Sequence, residues 1–325
     1  MNKTLVEFKD LKVYFHTDKG IVKSVNGVSF DINEGETVGI VGESGCGKSV
    51  TAMSLMKLIP TSKIESGEII FQGKDILKMK ENELRQIRGN EISMIFQEPM
   101  SSLNPAFTVG NQIIEGVMLH QGLSKEEAKK KVIDMIKLVE IPRAKEIYDS
   151  YPHELSGGMR QRIMIAMALS CNPKLLIADE PTTALDVTIQ AQVLDIMKNI
   201  KEKLNTSIMM ITHDLGVVAE MCDRVVVMYA GKIIEVADVV ELFKNPKHPY
   251  TIGLLKSKPI LGKNVGNRLY SIPGQVPNPI GIPDSCYFSD RCEKVRDKCR
   301  TQIPPLIKLQ NGHSIACWLY KKEEI

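Results

Sequence analysis

The stretch Val38-Gly-Ile-Val-Gly42-Glu-Ser-Gly-Cys-Gly-Lys48-Ser49-Val50 decides the fold of this chain. An apolar run passes into a glycine-rich loop of the pattern G-x-x-x-x-G-K-[ST], and a helical pattern follows it. Glycines let backbone N–H groups turn toward phosphate oxygens, Lys48 neutralises the β- and γ-phosphates, and the Ser49 hydroxyl can bind Mg²⁺. The stretch therefore predicts a strand, a phosphate-binding loop (P-loop) and a helix that together hold a nucleoside triphosphate. The predicted contact residues are Gly42, Ser44, Gly45, Cys46, Gly47, Lys48, Ser49 and Val50.

Within this loop, Cys46 has two interpretations. A helix N-terminus lowers the pKa of a thiol, which would make Cys46 sensitive to alkylation. Alternatively, only its backbone matters and any small side chain suffices. We favour the second interpretation.

The rest of the chain predicts an α/β protein with a largely parallel sheet, because buried strands alternate with helices. Consecutive apolar residues indicate strands at 37–41, 175–178, 208–212 and 225–229. Helical spacing of apolar residues extends from Ile189 to Leu204. A second helix is predicted from Ser124, which forms a capping box with Glu127.

Two changes in the sequence pattern along the chain predict the domain organisation. A strand-poor stretch over about 85–170 indicates a helical subdomain inserted between the two halves of the sheet. From 259 to 284 prolines alternate with glycines, which leaves little room for regular elements. We therefore expect one domain over 1–250 and a small irregular extension over 251–325.

Composition excludes several classes of protein. The 325 residues are 43% hydrophobic and 25% charged with a net charge of +3, which excludes wholesale disorder and gives no indication of nucleic-acid binding. The first fifteen residues lack the pattern of a signal peptide, and no apolar run approaches the roughly 20 residues that span a bilayer. We expect synthesis to end in the cytoplasm.

Two acidic residues and a histidine follow predicted buried strands. Carboxylates at the end of an apolar strand should face a cation or a reacting group, so Asp179 is predicted to hold Mg²⁺ and Glu180 to polarise an attacking water. The alternative is that this acidic pair caps the next helix. His213 follows the strand at 208–212, and because parallel strands end on the same side of a sheet, we expect it near the γ-phosphate. Its alternative role is structural.

A second glycine-rich helix start lies at Leu155-Ser-Gly-Gly-Met159. It could bind an anion at a helix N-terminus. Equally, Ser156 could be a plain N-cap followed by flexible glycines. One nucleotide does not obviously need two such loops in one chain.

Together these motifs resemble the ATP-binding subunits of ABC transporters over residues 1 to about 250. The resemblance implies a P-loop ATPase domain with a mixed sheet and an inserted helical subdomain. It also implies that Ser156, Gly157 and Gly158 close over ATP held by the P-loop of a second subunit. By the same resemblance, Gln97 senses Mg²⁺ and contacts membrane subunits, the segment Thr183-Ala-Leu-Asp186 lies at the dimer seam, and His213 is a switch histidine. Phe15 resembles the aromatic residue that stacks on adenine, with Tyr14 and His16 as alternatives.

A narrower resemblance, to oligopeptide and dipeptide importer ATPases, spans nearly the whole chain. It rests on segments 97–105, 151–154 and 158–161, on His248-Pro-Tyr250, and on the terminal cysteines. It implies ATP-driven import of peptides, or alternatively of nickel. The implied partners are a paralogous ATPase or a second copy, two transmembrane permease subunits, and indirectly an extracytoplasmic binding protein. The implied location is peripheral, on the cytoplasmic face of the cell membrane.

Rival functions use the same P-loop. A soluble ABC ATPase that acts on nucleic acid or ribosomes commonly joins two ATP-binding halves or inserts long coiled coils or zinc modules, and neither feature occurs here. A P-loop kinase for a small molecule would use Lys48 and Asp179 but would leave Ser156 and its glycines without a role.

Four cysteines near the C-terminus need a separate explanation: Cys286, Cys292, Cys299 and Cys317. Their spacing contains no C-x-x-C pair and leaves three alternatives open, namely ordinary buried thiols, a zinc site and an iron–sulfur cluster. The small proline-rich segment has few large apolar residues for a core of its own, which favours a metal. The resemblance to peptide importer ATPases implies a [4Fe-4S] cluster.

Overall fold

In a computed structural model, residues 3–59, 63–97, 102–183, 185–257, 270–309 and 312–321 are described. They form two compact units, each assembled from separate parts of the chain. The first unit contains residues 1–5, 32–37 and 78–212, and the second contains residues 6–31, 38–77 and 213–325. Predicted features at 98–101, at Ala184 and at 258–269 lie outside the described residues.

The first unit has a parallel sheet covered by helices. Its strands are β6 (Ile92–Ile95), β7 (Leu175–Asp179) and β8 (Ser207–Ile211), and β7 pairs in parallel with both neighbours. Every residue of β7 and β8 is buried, which explains their continuous apolar sequence. The helices are α2 (Glu81–Ile87), α3 (Val109–Gln121), α4 (Lys125–Leu138), α5 (Ala144–Asp149), α6 (Gly157–Leu169) and α7 (Val187–Leu204).

The second unit contains a mixed sheet and a separate antiparallel one. In the mixed sheet, β3 (Thr37–Val41) runs parallel to β9 (Arg224–Tyr229), and β9 pairs with β10 (Lys232–Asp238) in the antiparallel direction. The two short strands β12 (Ser314–Ile315) and β11 (Ile307–Lys308) continue this sheet from β10. The C-terminal segment thus extends the sheet that carries β3.

The antiparallel sheet follows the order β2-β1-β4-β5. Its strands are β1 (Thr4–Thr17), β2 (Gly20–Asn33), β4 (Lys63–Phe71) and β5 (Lys74–Asp75). The helices of the second unit are α1 (Lys48–Leu55), α8 (Leu215–Met221), α9 (Val239–Lys244), α10 (Pro249–Lys256) and α11 (Asp297–Thr301).

Local sequence signals explain where several helices begin. The Ser124 side chain accepts a hydrogen bond from the Glu127 N–H, and the Glu127 side chain bonds back to the Ser124 N–H, which is the predicted capping box of α4. Five apolar residues of α7, from Val193 to Ile200, are buried on one side, as their spacing predicts. Burial of each such side chain contributes about 1.5–3 kcal/mol.

Among the described residues of the stretch predicted to be strand-poor, the structure has one strand, β6. The run Ile92-Ser-Met-Ile95 is too short for its periodicity to separate strand from buried helix, and only its pairing with β7 decides the outcome. Across the described part of the chain, no helix combines the length and the hydropathy that crossing a membrane requires.

Candidate nucleotide-binding site

The P-loop lies in the second unit, between β3 and α1, as predicted. Lys48 is buried at the first position of α1, and its Nζ donates hydrogen bonds to the carbonyl oxygens of Gly42 at 2.8 Å and Glu43 at 3.1 Å. No acidic residue lies in the first turn of α1, so nothing there offsets the positive end of the helix dipole. The loop thus curls around an ammonium group at a helix N-terminus, which is an arrangement suited to a polyphosphate.

At two positions of the loop, Gly42 and Gly47, there is no room for a side chain. A Cβ on Gly42 would lie 2.2 Å from the carbonyl oxygen of Met228, and one on Gly47 would lie 2.3 Å from that of Ser24. Gly45 is left-handed with φ +77° but has open space around it, and Ser44 beside it is exposed. The loop therefore packs closely at both ends and is open in the middle.

The alkylation-sensitive interpretation of Cys46 is wrong. Its side chain is buried, and burial raises the pKa of the thiol although Lys48 lies near the sulfur and lowers it in part. A neutral, inaccessible thiol is a poor nucleophile. Desolvation outweighs the helix N-terminus, on which the sequence argument depended.

A cluster of polar side chains in the first unit surrounds Glu180. The Glu180 carboxylate accepts hydrogen bonds from the Gln97 Nε2 amide at 3.0 Å and from the Thr183 hydroxyl at 2.9 Å. Glu180 has a left-handed backbone with φ +47°, and its N–H donates to the carbonyl of Ile211 at 2.8 Å. The turn after β7 is thus tied to the end of β8. Asp179, the last residue of β7, is buried.

Sequence reasoning singled out Gln97 and Glu180 by different arguments, and the structure brings them into direct contact. It did not predict the contact of Thr183 with Glu180, because nothing in the neighbouring sequence distinguishes Thr183 from Thr182. Only the backbone turn after Glu180 decides which threonine reaches the carboxylate.

The second glycine-rich loop forms the predicted helix start. The Ser156 hydroxyl accepts a hydrogen bond from the Met159 N–H at 3.3 Å and caps α6. Ser156 and Gly157 are exposed, and a Cβ on Gly158 would lie 2.9 Å from a methyl carbon of Ile189. The capping interpretation therefore describes the isolated chain, in which Ser156 and Gly157 are exposed.

Three further predicted site residues occupy helix starts or strand ends. Asp186 caps α7 by accepting a hydrogen bond from the Ile189 N–H at 2.9 Å, and its side chain is exposed. His213 is exposed and directly precedes Asp214, the N-cap of α8. Phe15 is half-buried near the end of β1.

Both alternatives to Phe15 are engaged elsewhere in the second unit. The Tyr14 hydroxyl donates to the Asn26 side chain at 2.7 Å, and the His16 ring contacts Glu65 at 2.9 Å. Because side chains alternate along a strand, Phe15 shares its face with buried Val13, while Tyr14 and His16 point to the other face.

Burial, and to a smaller extent the charges of neighbouring cysteines, raises the pKa of the Cys286, Cys292 and Cys317 thiols. Burial is the larger effect and raises the pKa of Cys286 to about 11. The N–H groups of Phe288, Lys294 and Leu319 bond to the sulfurs of the cysteines two residues before them, which lowers those pKa values in part.

The structure shows no assembled iron–sulfur or zinc site among the described residues. Among the described residues, which include all four cysteines, no three His, Cys, Asp or Glu side chains are arranged to hold a metal ion. Burial favours the neutral thiol over the thiolate that a metal binds.

The sequence of this chain matches two protein families and several known proteins. The family described as ABC transporter matches residues 25–183, and the one described as oligopeptide/dipeptide transporter, C-terminal region, matches residues 234–299. The oligopeptide transport ATP-binding protein AppD of Bacillus subtilis (strain 168) is 53% identical over 322 residues, which are 98% of each chain. The dipeptide transport ATP-binding protein DppD of the same organism is 50% identical and covers 98% of this chain and 95% of its own.

Solved structures agree with this placement. The dimeric post-hydrolysis state of the ATP-binding cassette MJ0796, bound to ADP and Pi, has a TM-score of 0.65 and 27% identity. It covers 72% of this chain and 99% of its own. The structure of cbiO1 from Clostridium perfringens, part of the transporter complex cbiONQ, has a TM-score of 0.64 and 27% identity over 78% of this chain and 95% of its own.

Proposed function

The chain belongs to the ABC transporter family of ATP-binding proteins, and on that premise we propose that it hydrolyses ATP to energise the import of dipeptides or oligopeptides. The observation that carries the proposal is the P-loop, where Lys48 lies inside a ring of backbone at the free N-terminus of α1. Peptide transport rests on the similarity to AppD and DppD, which extends through the C-terminal segment.

Each site residue has a proposed role. Lys48 and the loop N–H groups bind the phosphates, and Phe15 stacks on the adenine. Mg²⁺ would be held by oxygen atoms of Ser49, Asp179 and Gln97, the donor type it prefers, and it would neutralise charge that develops on the phosphates. Glu180 accepts the proton of the attacking water, and His213 contacts the γ-phosphate.

The contact between Gln97 and Glu180 supports a control step. A carboxylate that is hydrogen-bonded to Gln97 and Thr183 is held in one orientation. If Gln97 moves when it engages Mg²⁺ or a membrane subunit, Glu180 gains freedom to orient a water. Hydrolysis would then respond to the state of the transporter.

We further propose that the exposed loop Ser156-Gly157-Gly158 binds ATP held by the P-loop of a second subunit, with Asp186 at the seam. The second subunit is another copy of this chain or a paralogous ATPase. Similarity to the dimeric MJ0796 cassette supports this arrangement. The pair would lie on the cytoplasmic face of the membrane against two permease subunits, with an extracytoplasmic peptide-binding protein delivering the solute.

Reconstitution in liposomes tests the proposed function. ATP hydrolysis by the full chain should rise when the permease subunits and a peptide-loaded binding protein are present. Stimulation by nickel with its binding protein would reassign the solute and leave the ATPase role intact. Stimulation by DNA or ribosomes, with no response to permease subunits, would contradict the transport role.

For the four cysteines, we propose a [4Fe-4S] cluster in the cell, with zinc as the alternative metal. Four neighbouring thiols with backbone N–H donors to three of the sulfurs support it, because such donors stabilise metal-bound thiolates. Anaerobically purified protein should contain about four irons per chain and absorb near roughly 410 nm. Colourless protein without iron would contradict the cluster, and stoichiometric zinc would replace it.

A further inference from the structure

The P-loop contains a carboxylate, Glu43, that the binding of a triphosphate does not require. A buried arginine from the C-terminal segment pairs with it. Arg291 donates through Nη1 to one Glu43 oxygen at 2.9 Å and through Nη2 to the other at 3.2 Å. The Arg291 side chain is 6% exposed and that of Glu43 27%. The contact is thus a largely desolvated, two-pronged ion pair.

Arg291 is fixed by the groups around it. Its Nε donates to the carbonyl of Pro273 at 3.0 Å, and its Nη1 also donates to the Tyr229 hydroxyl at 3.2 Å. The guanidinium carbon lies 5.7 Å from the centre of the Tyr229 ring and 5.9 Å from that of Phe288. These contacts hold the positively charged guanidinium group of Arg291 in one position.

The backbone of Glu43 connects this ion pair to the phosphate-binding lysine. Its N–H donates to the hydroxyl of Tyr250 in α10 at 2.8 Å, while its carbonyl accepts from Lys48 Nζ at 3.1 Å. One residue of the P-loop thus contacts both the C-terminal segment and Lys48. A displacement of Arg291 or Tyr250 would therefore shift Glu43, and with it the part of the P-loop that contacts Lys48.

Electrostatics gives the ion pair a function. A carboxylate within a loop that binds a polyphosphate repels that ligand, and the repulsion is strong where water is excluded. The guanidinium of Arg291 cancels this charge at contact distance. Leaving one uncompensated charge beside the phosphate-binding loop would weaken ATP binding on the order of tenfold.

We propose that Arg291 is a positioning residue for ATP, acting through Glu43, so that the C-terminal segment sets the nucleotide affinity of the P-loop. The inference rests on the proposed function, because it assumes that the loop binds ATP. The turn that presents Arg291 lies between Cys286 and Cys292, so this link also connects the cysteine segment to the P-loop.

Three variants of the full chain test the sign of the effect: Arg291→Met, Glu43→Gln, and the two combined. The dissociation constant for ATP is measured by equilibrium titration and the folded state by thermal unfolding. Arg291→Met should weaken ATP binding about tenfold, Glu43→Gln should tighten it a few-fold, and the double variant should return to within about threefold of the unsubstituted chain. If Arg291→Met does not fold, Glu43→Gln and the double variant, which leaves no unpaired buried charge, still decide the outcome.

Arg224→Met is the matched control. Arg224 makes a similar two-pronged pair with Asp31, at 3.2 and 3.0 Å, at the end of β9 remote from the P-loop. This variant should lose thermal stability and keep its ATP affinity within about twofold. Weaker ATP binding in Glu43→Gln would overturn the inference, because a merely structural ion pair weakens ATP binding whichever partner is removed. A loss of ATP affinity in Arg224→Met equal to that in Arg291→Met would overturn it as well. An unsubstituted chain that binds no ATP would refute the proposed function itself.

Discussion

Replacing Gly47 by alanine should damage the P-loop far more than the same change at Gly45. Both glycines have left-handed backbones, with φ +98° and +77°, which cost an alanine about 1–2 kcal/mol. Only at Gly47 does the added Cβ meet rigid backbone, 2.3 Å from the Ser24 carbonyl oxygen. At Gly45 there is nothing within 4 Å.

The difference between the two variants follows from these distances. Ordinary contact requires the Cβ added at Gly47 to withdraw by about 1 Å, and the loop that holds Lys48 must move with it. A misplacement of about 1 Å can cost a hundredfold in a binding or catalytic constant. We therefore expect Gly47→Ala to weaken ATP binding about a hundredfold or more, and Gly45→Ala about tenfold or less.

Equilibrium titration of both full-length variants with ATP provides the assay, and thermal unfolding shows whether each remains folded. Gly45→Ala serves as the matched control, because it carries the same backbone cost without the clash. If the two variants bind ATP equally well, the close packing against Ser24 does not set the loop geometry and the reasoning is refuted.

Three other predictions concern Lys48, Glu180 and His248. Lys48→Ala should lose roughly 10- to 100-fold in ATP affinity because it removes a charged donor, and unchanged affinity in the titration would contradict its role. Glu180→Gln should still bind ATP and Mg²⁺ while turnover falls by about 10²–10⁴, and a near-normal rate of phosphate release would exclude it as the proton acceptor. Burial lowers the pKa of His248 from 6.5 to about 3, so the unfolded chain binds one more proton between those values. Stability should therefore fall as pH drops below 6.5, by up to about 1.4 kcal/mol per unit from this group, and denaturant unfolding of His248→Asn should show a shallower dependence on pH if the account is right.

The central strands and the P-loop could be predicted from the sequence because their signals are local. The strand at 37–41 is found as β3 with the same limits, and Ser124 and Glu127 form the expected capping box. The helix after the P-loop begins at Lys48 and ends at Leu55, although apolar residues continue in the sequence to Leu58. Apolar periodicity marks a buried face and does not mark where a helix stops.

Other features depended on contacts between distant parts of the chain. Nothing near Arg291 in the sequence indicates that it reaches Glu43, 248 positions earlier. The raised pKa of Cys46 follows from burial, which a helix N-terminus motif does not reveal. Side-chain chemistry at a motif could be predicted, while its solvent exposure and its distant partners could not.

The central claim is that Ser156 serves the ATP of a second subunit. The most direct test is the mass, in solution with ATP, of the complex formed by the Glu180→Gln chain, alone or with a paralogous ATPase subunit. The account predicts an ATP-dependent dimer that Ser156→Arg abolishes without changing the ATP affinity of the single chain. A dimer that still forms with Ser156→Arg would contradict the account. So would a loss of ATP affinity in the single Ser156→Arg chain large enough to explain the missing dimer.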